Sequence, residues 1–255
     1  MKNLLKFEKV SLTYYTKTNE TLAIKDLSFN INQGEFVAII GPSGCGKTSI
    51  LSLTAGLLKL SGGNITLYNK PITKPDDKIA YMLQKDHLFP WLTIEKNIRL
   101  PLKIKGKLNE ESIIYANNLI KKYGLEDFRR YYPDQLSGGM RQRAALIRTL
   151  CAKPDLLLLD EPFSALDYQT RLYVCEDVYK IIRSENKTAL LVTHDISEAI
   201  SLADKIIVLT KRPATVKNEH QIDFDKSQTP ITRREDKRFS LWFEKLWGEL
   251  NFEEK

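Results

Sequence analysis

The chain has 255 residues, 39 Lys+Arg against 32 Asp+Glu, a net charge of +7, and 42% hydrophobic residues beside 12 Gly and 10 Pro. That balance suits a globular protein and excludes a disordered, collagen-like or low-complexity chain. The length allows one large domain or two small lobes with a sizeable core.

Three widely spaced cysteines, Cys45, Cys151 and Cys175, form neither a disulfide framework nor a paired metal-ligand spacing, so a reducing compartment is expected. No run approaches the roughly 18 apolar residues of a membrane span. Met1–Phe7 lacks the apolar core of a signal peptide. The expectation is a cytosolic protein, or one peripheral on a membrane that it does not enter.

In chain order, Phe7–Tyr14 and Leu22–Ile31 read as strands separated by a polar turn at Thr16–Glu20. Phe36–Ile40 is a continuous apolar run flanked by Gly34 and Gly41, as in a strand buried on both faces. A helical pattern follows in Ile50, Leu51, Leu53, Thr54, Leu57 and Leu58, and Gly62-Gly63 closes that unit. From Lys85 to Tyr132 the character changes to helices, one of them over Asn109–Tyr123 and ending at Gly124. Met140, Ala144, Ile147 and Cys151 share one face of another helix. Leu156–Leu159, Ala189–Val192 and Ile206–Leu209 read as buried strands, with a helix over Leu172–Arg183 between the first two. This alternation predicts a parallel α/β core interrupted by a helical insertion. Beyond Arg212 the pattern loosens into a tail with ten Lys/Arg and nine Asp/Glu over residues 211–255, which does not account for the positive charge. Arg238–Phe252 reads as an amphipathic helix with Phe239, Trp242, Phe243, Leu246 and Leu250 on one side, for packing on its own domain or for docking a partner.

Gly41-Pro42-Ser43-Gly44-Cys45-Gly46-Lys47-Thr48 matches the phosphate loop GxxxxGK[ST], after a buried strand and before a helix. Its glycines let successive backbone N–H groups turn toward phosphate oxygens, and the helix starting at Lys47 presents its positive end to the same anion. Lys47 is assigned to the β- and γ-phosphates and the Thr48 hydroxyl to Mg²⁺; Ser49 continues the loop, and Cys45 is read as a small filler. Leu156–Leu159 delivers Asp160 and Glu161 at a strand's carboxyl edge, where ligands bind in open α/β sheets. Asp160 suits the Mg²⁺ sphere and Glu161 suits polarising an attacking water. Leu136-Ser137-Gly138-Gly139-Met140-Arg141-Gln142-Arg143 adds a second anion site, in which Ser137 and Gly139 cap a helix.

In these motifs the chain resembles the ATP-binding cassette family, whose signature LSGGQ it matches except for Met140. The resemblance covers about residues 5 to 212, with six motifs in the family's order. It implies an α/β P-loop NTPase core with an antiparallel β subdomain and an inserted helical subdomain at about 85–150, within a nucleotide-binding domain over 1–212. A C-terminal extension over 213–255 follows. It further implies that Gln84 touches Mg²⁺ and the attacking water, and that His194 contacts the γ-phosphate. Ser164–Asp167 resembles the D-loop that crosses a dimer interface. Tyr14 resembles the aromatic that stacks on adenine, with Tyr15 as the neighbouring alternative. Ser137, Gly138, Gly139 and Asp167 then complete a second copy's ATP site in a head-to-tail sandwich.

The expected cofactors are ATP and Mg²⁺, the expected activity is ATP hydrolysis, and no nucleic-acid partner is expected. A single cassette with no membrane span of its own resembles the motor of a bacterial transporter on the cytoplasmic side of the membrane, with permease subunits and, indirectly, an extracytoplasmic binding protein. Leu88-Phe89-Pro90-Trp91-Leu92 either lines a permease-docking groove or is buried in the insertion. The wording of Gly41–Thr48, Leu88–Thr93 and the extension after Arg212-Pro213 resembles the nitrate, sulfonate and taurine import cassettes. A soluble cassette ATPase unlinked to transport is the alternative, and a small-molecule kinase a remoter one that has no use for Leu136–Arg143 or His194.

Overall fold

The computed structural model describes residues 2–16, 18–225 and 227–251. Its first two strands, β1 (Asn3–Tyr15) and β2 (Glu20–Asn32), form a hairpin that is longer than the sequence pattern predicts. Register shifts near Lys9 and Asp26, both at positive φ, break the period-2 alternation from which strand ends are read.

The apolar run is β3 (Phe36–Ile40), buried throughout as expected, and it leads into α1 (Lys47–Thr54). That helix stops short of the predicted Leu57 and Leu58. Gly56 turns at φ +70, and a Cβ there would lie 2.4 Å from the Lys74 carbonyl carbon, so the backbone leaves the helix where only glycine fits. Gly62 and Gly63, expected to close the unit, instead open β4 (Gly62–Leu67), which with β5 (Lys70–Pro71) completes a four-stranded antiparallel sheet in the order β2-β1-β4-β5.

The remaining elements are β6 (Ile79–Met82), α2 (Ile94–Ile104), α3 (Glu110–Lys122), α4 (Gly138–Cys151), β7 (Leu156–Asp160), α5 (Tyr168–Ser184), β8 (Thr188–Val192), α6 (Ile196–Leu202), β9 (Lys205–Leu209), β10 (Val216–Gln221), α7 (Pro230–Glu235) and α8 (Lys237–Asn251). A six-stranded sheet runs β10-β9-β3-β8-β7-β6, parallel except at β10. Helices α2 to α4 occupy the stretch between β6 and β7 that the sequence marks as helical.

Successive residues of the buried strands face opposite sides. Phe36, Ala38, Ile40, Leu157, Leu159, Leu191 and Val208 join one core with the helices, while Val37, Ile39, Leu156, Leu158, Leu190 and Ile207 join another with α1 and the antiparallel sheet. This is why the strands carry unbroken apolar runs. The three cysteines are buried and free, as expected.

In the tail, Leu246 is fully buried, and Phe239, Trp242, Phe243 and Leu250 pack against the helical-side core, so α8 lies back on its own chain. Phe252, expected at the end of that helix, lies outside the described residues. His220 Nε2 sits 2.9 and 3.0 Å from the Glu249 carboxylate oxygens, tying β10 to α8. Among the described residues no helix is long and apolar enough to cross a membrane.

Candidate active site

Because β3, β8, β7 and β6 are parallel neighbours, the residues that follow their carboxyl ends emerge along one edge of the sheet. Met82 pairs with Leu159, Asp160 with Val192, and Val192 with Ile39 in the same register direction. The phosphate loop, Asp160 and Glu161, His194 and Gln84, up to 153 residues apart in sequence, are thereby collected in one place.

Gly46 stands at the N-cap of α1 with φ +121, a conformation that L side chains avoid. Lys47 is buried, and its ammonium donates to the carbonyls of Gly41 (2.8 Å) and Pro42 (2.9 Å), which holds the charge at the loop's mouth. Cys45 Sγ packs beneath Gly41, and burial pushes its thiol above the ordinary range against the opposing charge of Lys47, in keeping with a filler. Tyr14 Oη and Ser49 Oγ share a hydrogen bond of 2.9 Å. That bond sets Tyr14 beside the loop, while Tyr15 is 69% exposed.

The Thr48 hydroxyl donates to Asp160 Oδ1 (3.2 Å), and the Tyr81 hydroxyl donates to Asp160 Oδ2 (2.8 Å). Burial raises the Asp160 carboxyl above its usual range, opposed by those two hydrogen bonds. Burial also raises the Tyr81 phenol, with the Asp160 charge acting in the same direction, so Tyr81 stays a donor. A hydroxyl and a buried carboxylate converging at one point form a hard-oxygen pair that suits Mg²⁺. Among the described residues no group of three or more His, Cys, Asp or Glu could hold a metal ion.

Glu161 adopts φ +42, a costly conformation for a non-glycine residue, and its N–H donates to the Val192 carbonyl (2.8 Å). Its Oε2 lies 3.1 Å from His194 Nδ1 and accepts from Gln84 Nε2 at 3.4 Å. Gln84 Nε2 is also 3.4 Å from Ser164 Oγ, which donates to the Glu161 carbonyl (3.0 Å). Gln84 therefore meets Glu161 rather than the Thr48–Asp160 pair. Behind His194, the Thr193 hydroxyl donates to the buried Glu198 (2.7 Å), whose carboxyl burial pushes up to about 7.

The signature residues are positioned differently. Ser137 caps α4, accepting from the Met140 N–H (3.3 Å), whereas Gly138 and Gly139, the latter expected as a cap, lie inside the first turn. A Cβ on Gly139 would sit 2.9 Å from Val174 Cγ2, and one on Gly138 3.1 Å from Leu166 Cδ2, so glycine here allows α4 to approach α5 and the Leu166 turn. Asp167 caps α5, accepting from the Thr170 N–H (3.0 Å); the Thr170 side chain first, and then this backbone bond, hold its carboxyl below the usual range.

A family model described as ABC transporter matches residues 24–164. An uncharacterized ABC transporter ATP-binding protein of Bacillus subtilis, YtlC, is 44% identical over 254 residues, covering 99% of this chain and 98% of the relative. This chain belongs to the ABC transporter ATP-binding family. The aliphatic sulfonates import ATP-binding protein SsuB of Bacillus anthracis is 36% identical, covering 87% of this chain and 88% of that one. A solved dimeric structure of the ABC transporter cassette MJ0796 superposes with a TM-score of 0.74 at 33% identity, covering 87% of this chain and all of that one. A post-hydrolysis dimer of the same cassette, bound to ADP and Pi, superposes at 0.71 with 31% identity. The fold expected from the sequence is thus the observed one, and this cassette is an ATP-binding ATPase subunit.

Two contributors to the cassette's site carry no motif. Tyr81 reaches Asp160 only because the short β6 pairs with β7, and Arg212 Nη2 donates to the Gly44 carbonyl (2.6 Å) across 168 residues. Within the segment Leu88–Leu92, the expected burial is met by Leu88 but not by its aromatic residues. Leu88 is buried, while Phe89 and Trp91 are 37% and 70% exposed with ring centroids 5.1 Å apart. The fully buried Asn97 fixes that presentation, accepting from Phe89 N–H (2.7 Å) and donating to the Leu92 carbonyl (2.9 Å).

Proposed function

We propose that this chain is the motor of a bacterial importer of a small solute, an anion such as nitrate, a sulfonate or taurine. The observation that carries the mechanism is the convergence of the phosphate loop, Glu161, Gln84 and His194 at one sheet edge while Ser137–Gly139 is bonded elsewhere. In this reading residues 1–212 form the cassette, with a helical subdomain at about 85–150, and 213–255 form an extension braced on it.

Gly41–Ser49 would wrap the ATP phosphates, with Lys47 exchanging its two carbonyl partners for the β- and γ-phosphates, and Tyr14 stacking on adenine. Thr48, Asp160 and, after rearrangement, Gln84 would hold Mg²⁺, which supplies charge neutralisation at the phosphates. Glu161 accepts a proton from the attacking water as its oxygen bonds to the γ-phosphorus; the bond to the β,γ-bridging oxygen breaks, releasing ADP and phosphate. His194 and Gln84, already within reach of Glu161, orient that water and the γ-phosphate.

Ser137, Gly138, Gly139 and Asp167 of one copy would close the ATP site of another, giving a head-to-tail pair with two nucleotides. That the similar MJ0796 cassette is dimeric supports a pairing of two copies. Glu161→Gln is expected to dimerise with ATP and barely hydrolyse it; a strictly monomeric variant in light scattering, even with partner subunits, removes the sandwich.

The exposed Phe89–Trp91 pair, five and seven residues after Gln84, suits a permease helix, which would place the chain peripherally on the cytoplasmic face of the membrane. The import reading and the solute class rest on similarity to SsuB. Purification of the tagged chain from detergent-solubilised host membranes tests this. Co-purification of a polytopic permease is expected, and a chain found only in the soluble fraction leaves the alternative of a soluble cassette ATPase.

A further inference from the structure

Helix α4 is bonded at two points to the loop that follows Gln84, as well as to the helix's own start. Arg141, four residues after Ser137, donates through Nε to Asp86 Oδ2 (3.1 Å) and through Nη1 to the Leu136 carbonyl (2.7 Å). One guanidinium therefore joins the residue before the Ser137 cap to a carboxylate two residues after Gln84. Two turns further on, Arg148 donates to the backbone carbonyls of Asp86 (2.6 Å) and His87 (2.7 Å). Asp86 in turn accepts from the Leu88 N–H through Oδ1 (3.1 Å), and His87 holds φ +45. Gln84, Asp86, Gly138 and Arg141 line one groove of about 370 Å³. A helix moves as a rigid unit, so a shift of its N-terminus is carried to whatever its arginines grip.

We propose that Arg141 and Asp86 are positioning residues that hold Gln84 in register with the signature turn of the same chain. A phosphate seated on Ser137–Gly139 by the second copy then sets Gln84 at this chain's own nucleotide, linking the two sites of the pair. The proposal rests on the head-to-tail sandwich above. Arg141 touches no nucleotide in this scheme; it acts through Asp86. Lysine cannot replace it fully, because a single ammonium on a flexible stem lacks the planar fork that serves Asp86 and Leu136 together.

The test uses the full chain with Arg141→Met, Arg141→Lys, Asp86→Asn and the exchanged pair Asp86→Arg/Arg141→Asp. It records kcat, KM and the Hill coefficient for ATP, and affinity for a fluorescent ATP analogue. Arg141→Met and the near-isosteric Asp86→Asn are expected to lower kcat about tenfold or more and to bring the Hill coefficient toward that of independent sites. Analogue affinity should stay that of the parent. Arg141→Lys falls between, and the exchanged pair regains part of the loss. In a Glu161→Gln background, light scattering with ATP separates the two levels of the argument. No dimer in that background removes the sandwich and the proposal with it. A dimer, together with unchanged kcat and Hill coefficient in Arg141→Met and Asp86→Asn, overturns the proposal alone.

Discussion

At the carboxyl edge of the parallel sheet, contacts within one chain hold Lys47 on the phosphate loop, join Thr48 and Tyr81 to Asp160, and bring Gln84 and His194 to Glu161, whereas Ser137 caps its own helix and Gly138 and Gly139 serve close packing on the Leu166 turn and α5. The first set is held by strand register and needs no second copy to be in place. The second is a helix start with no hydrogen bond to that set among the described residues, so its chemistry depends on what approaches it. A single cassette is therefore expected to bind nucleotide through the first set and to need the second only for turnover.

Changes in the two sets should then separate cleanly. Removing the ammonium in Lys47→Ala takes away a charge-assisted contact to phosphate and should cost a single chain about 100-fold in ATP affinity, equivalent to about 3 kcal/mol, read by titration with a fluorescent analogue. Undiminished affinity breaks the assignment of the phosphate-loop set.

Glu198 behind His194 gives a pH handle on the same set. Its carboxyl rises from an ordinary 4.5 to about 7 through burial, opposed by the Thr193 hydrogen bond. The folded chain thus binds this proton more tightly than the unfolded one, and stability should fall as pH climbs through that window, by on the order of 2 kcal/mol. Glu198→Gln should flatten that fall in urea melts between pH 5 and 8; an unchanged slope assigns the pH dependence elsewhere.

On the signature side, Gly139→Val would push Cβ and two methyls into Val174 and should cost about 2 kcal/mol through overpacking, seen as a lower melting temperature with analogue affinity retained. Ser137→Ala, the smallest change, loses a helix cap worth about 1 kcal/mol. It should leave single-chain ATP affinity untouched while lowering ATPase turnover. A loss of affinity in Ser137→Ala would show that the signature already serves its own chain's nucleotide, and the contrast between the two sets would collapse.

Much of this was legible from local pattern. The phosphate loop, the Asp160-Glu161 pair and the strands around Phe36, Leu157, Leu190 and Ile207 announce themselves because strands buried on both faces must be apolar throughout, and because anion binding demands glycine, lysine and a helix start in a fixed order. The misses share the opposite property. β6 is four residues long, and β10 reads Val-Lys-Asn-Glu-His-Gln, an edge strand with one half-solvated face and no apolar run. α7 is six residues and carries the buried Arg233, whose guanidinium donates to the Ser201 and Ala203 carbonyls. The early end of α1 was set by the Lys74 backbone against Gly56, a contact 18 residues away that no window of helical periodicity contains.

The sequence by itself determined the chemistry on offer: which residues could wrap phosphate, hold a cation, take a proton from water or cap a helix toward an anion. These depend on side-chain type and on spacing within one turn or one strand end. Only the tertiary structure decided who meets whom. Strand order β3-β8-β7-β6 brought Gln84 and His194 to Glu161 and gave Asp160 its Tyr81 partner, while α4 kept Ser137 apart and passed Arg141 to Asp86. Pairings across 33 to 112 residues are set by sheet register and helix packing, and short-range pattern carries no record of them.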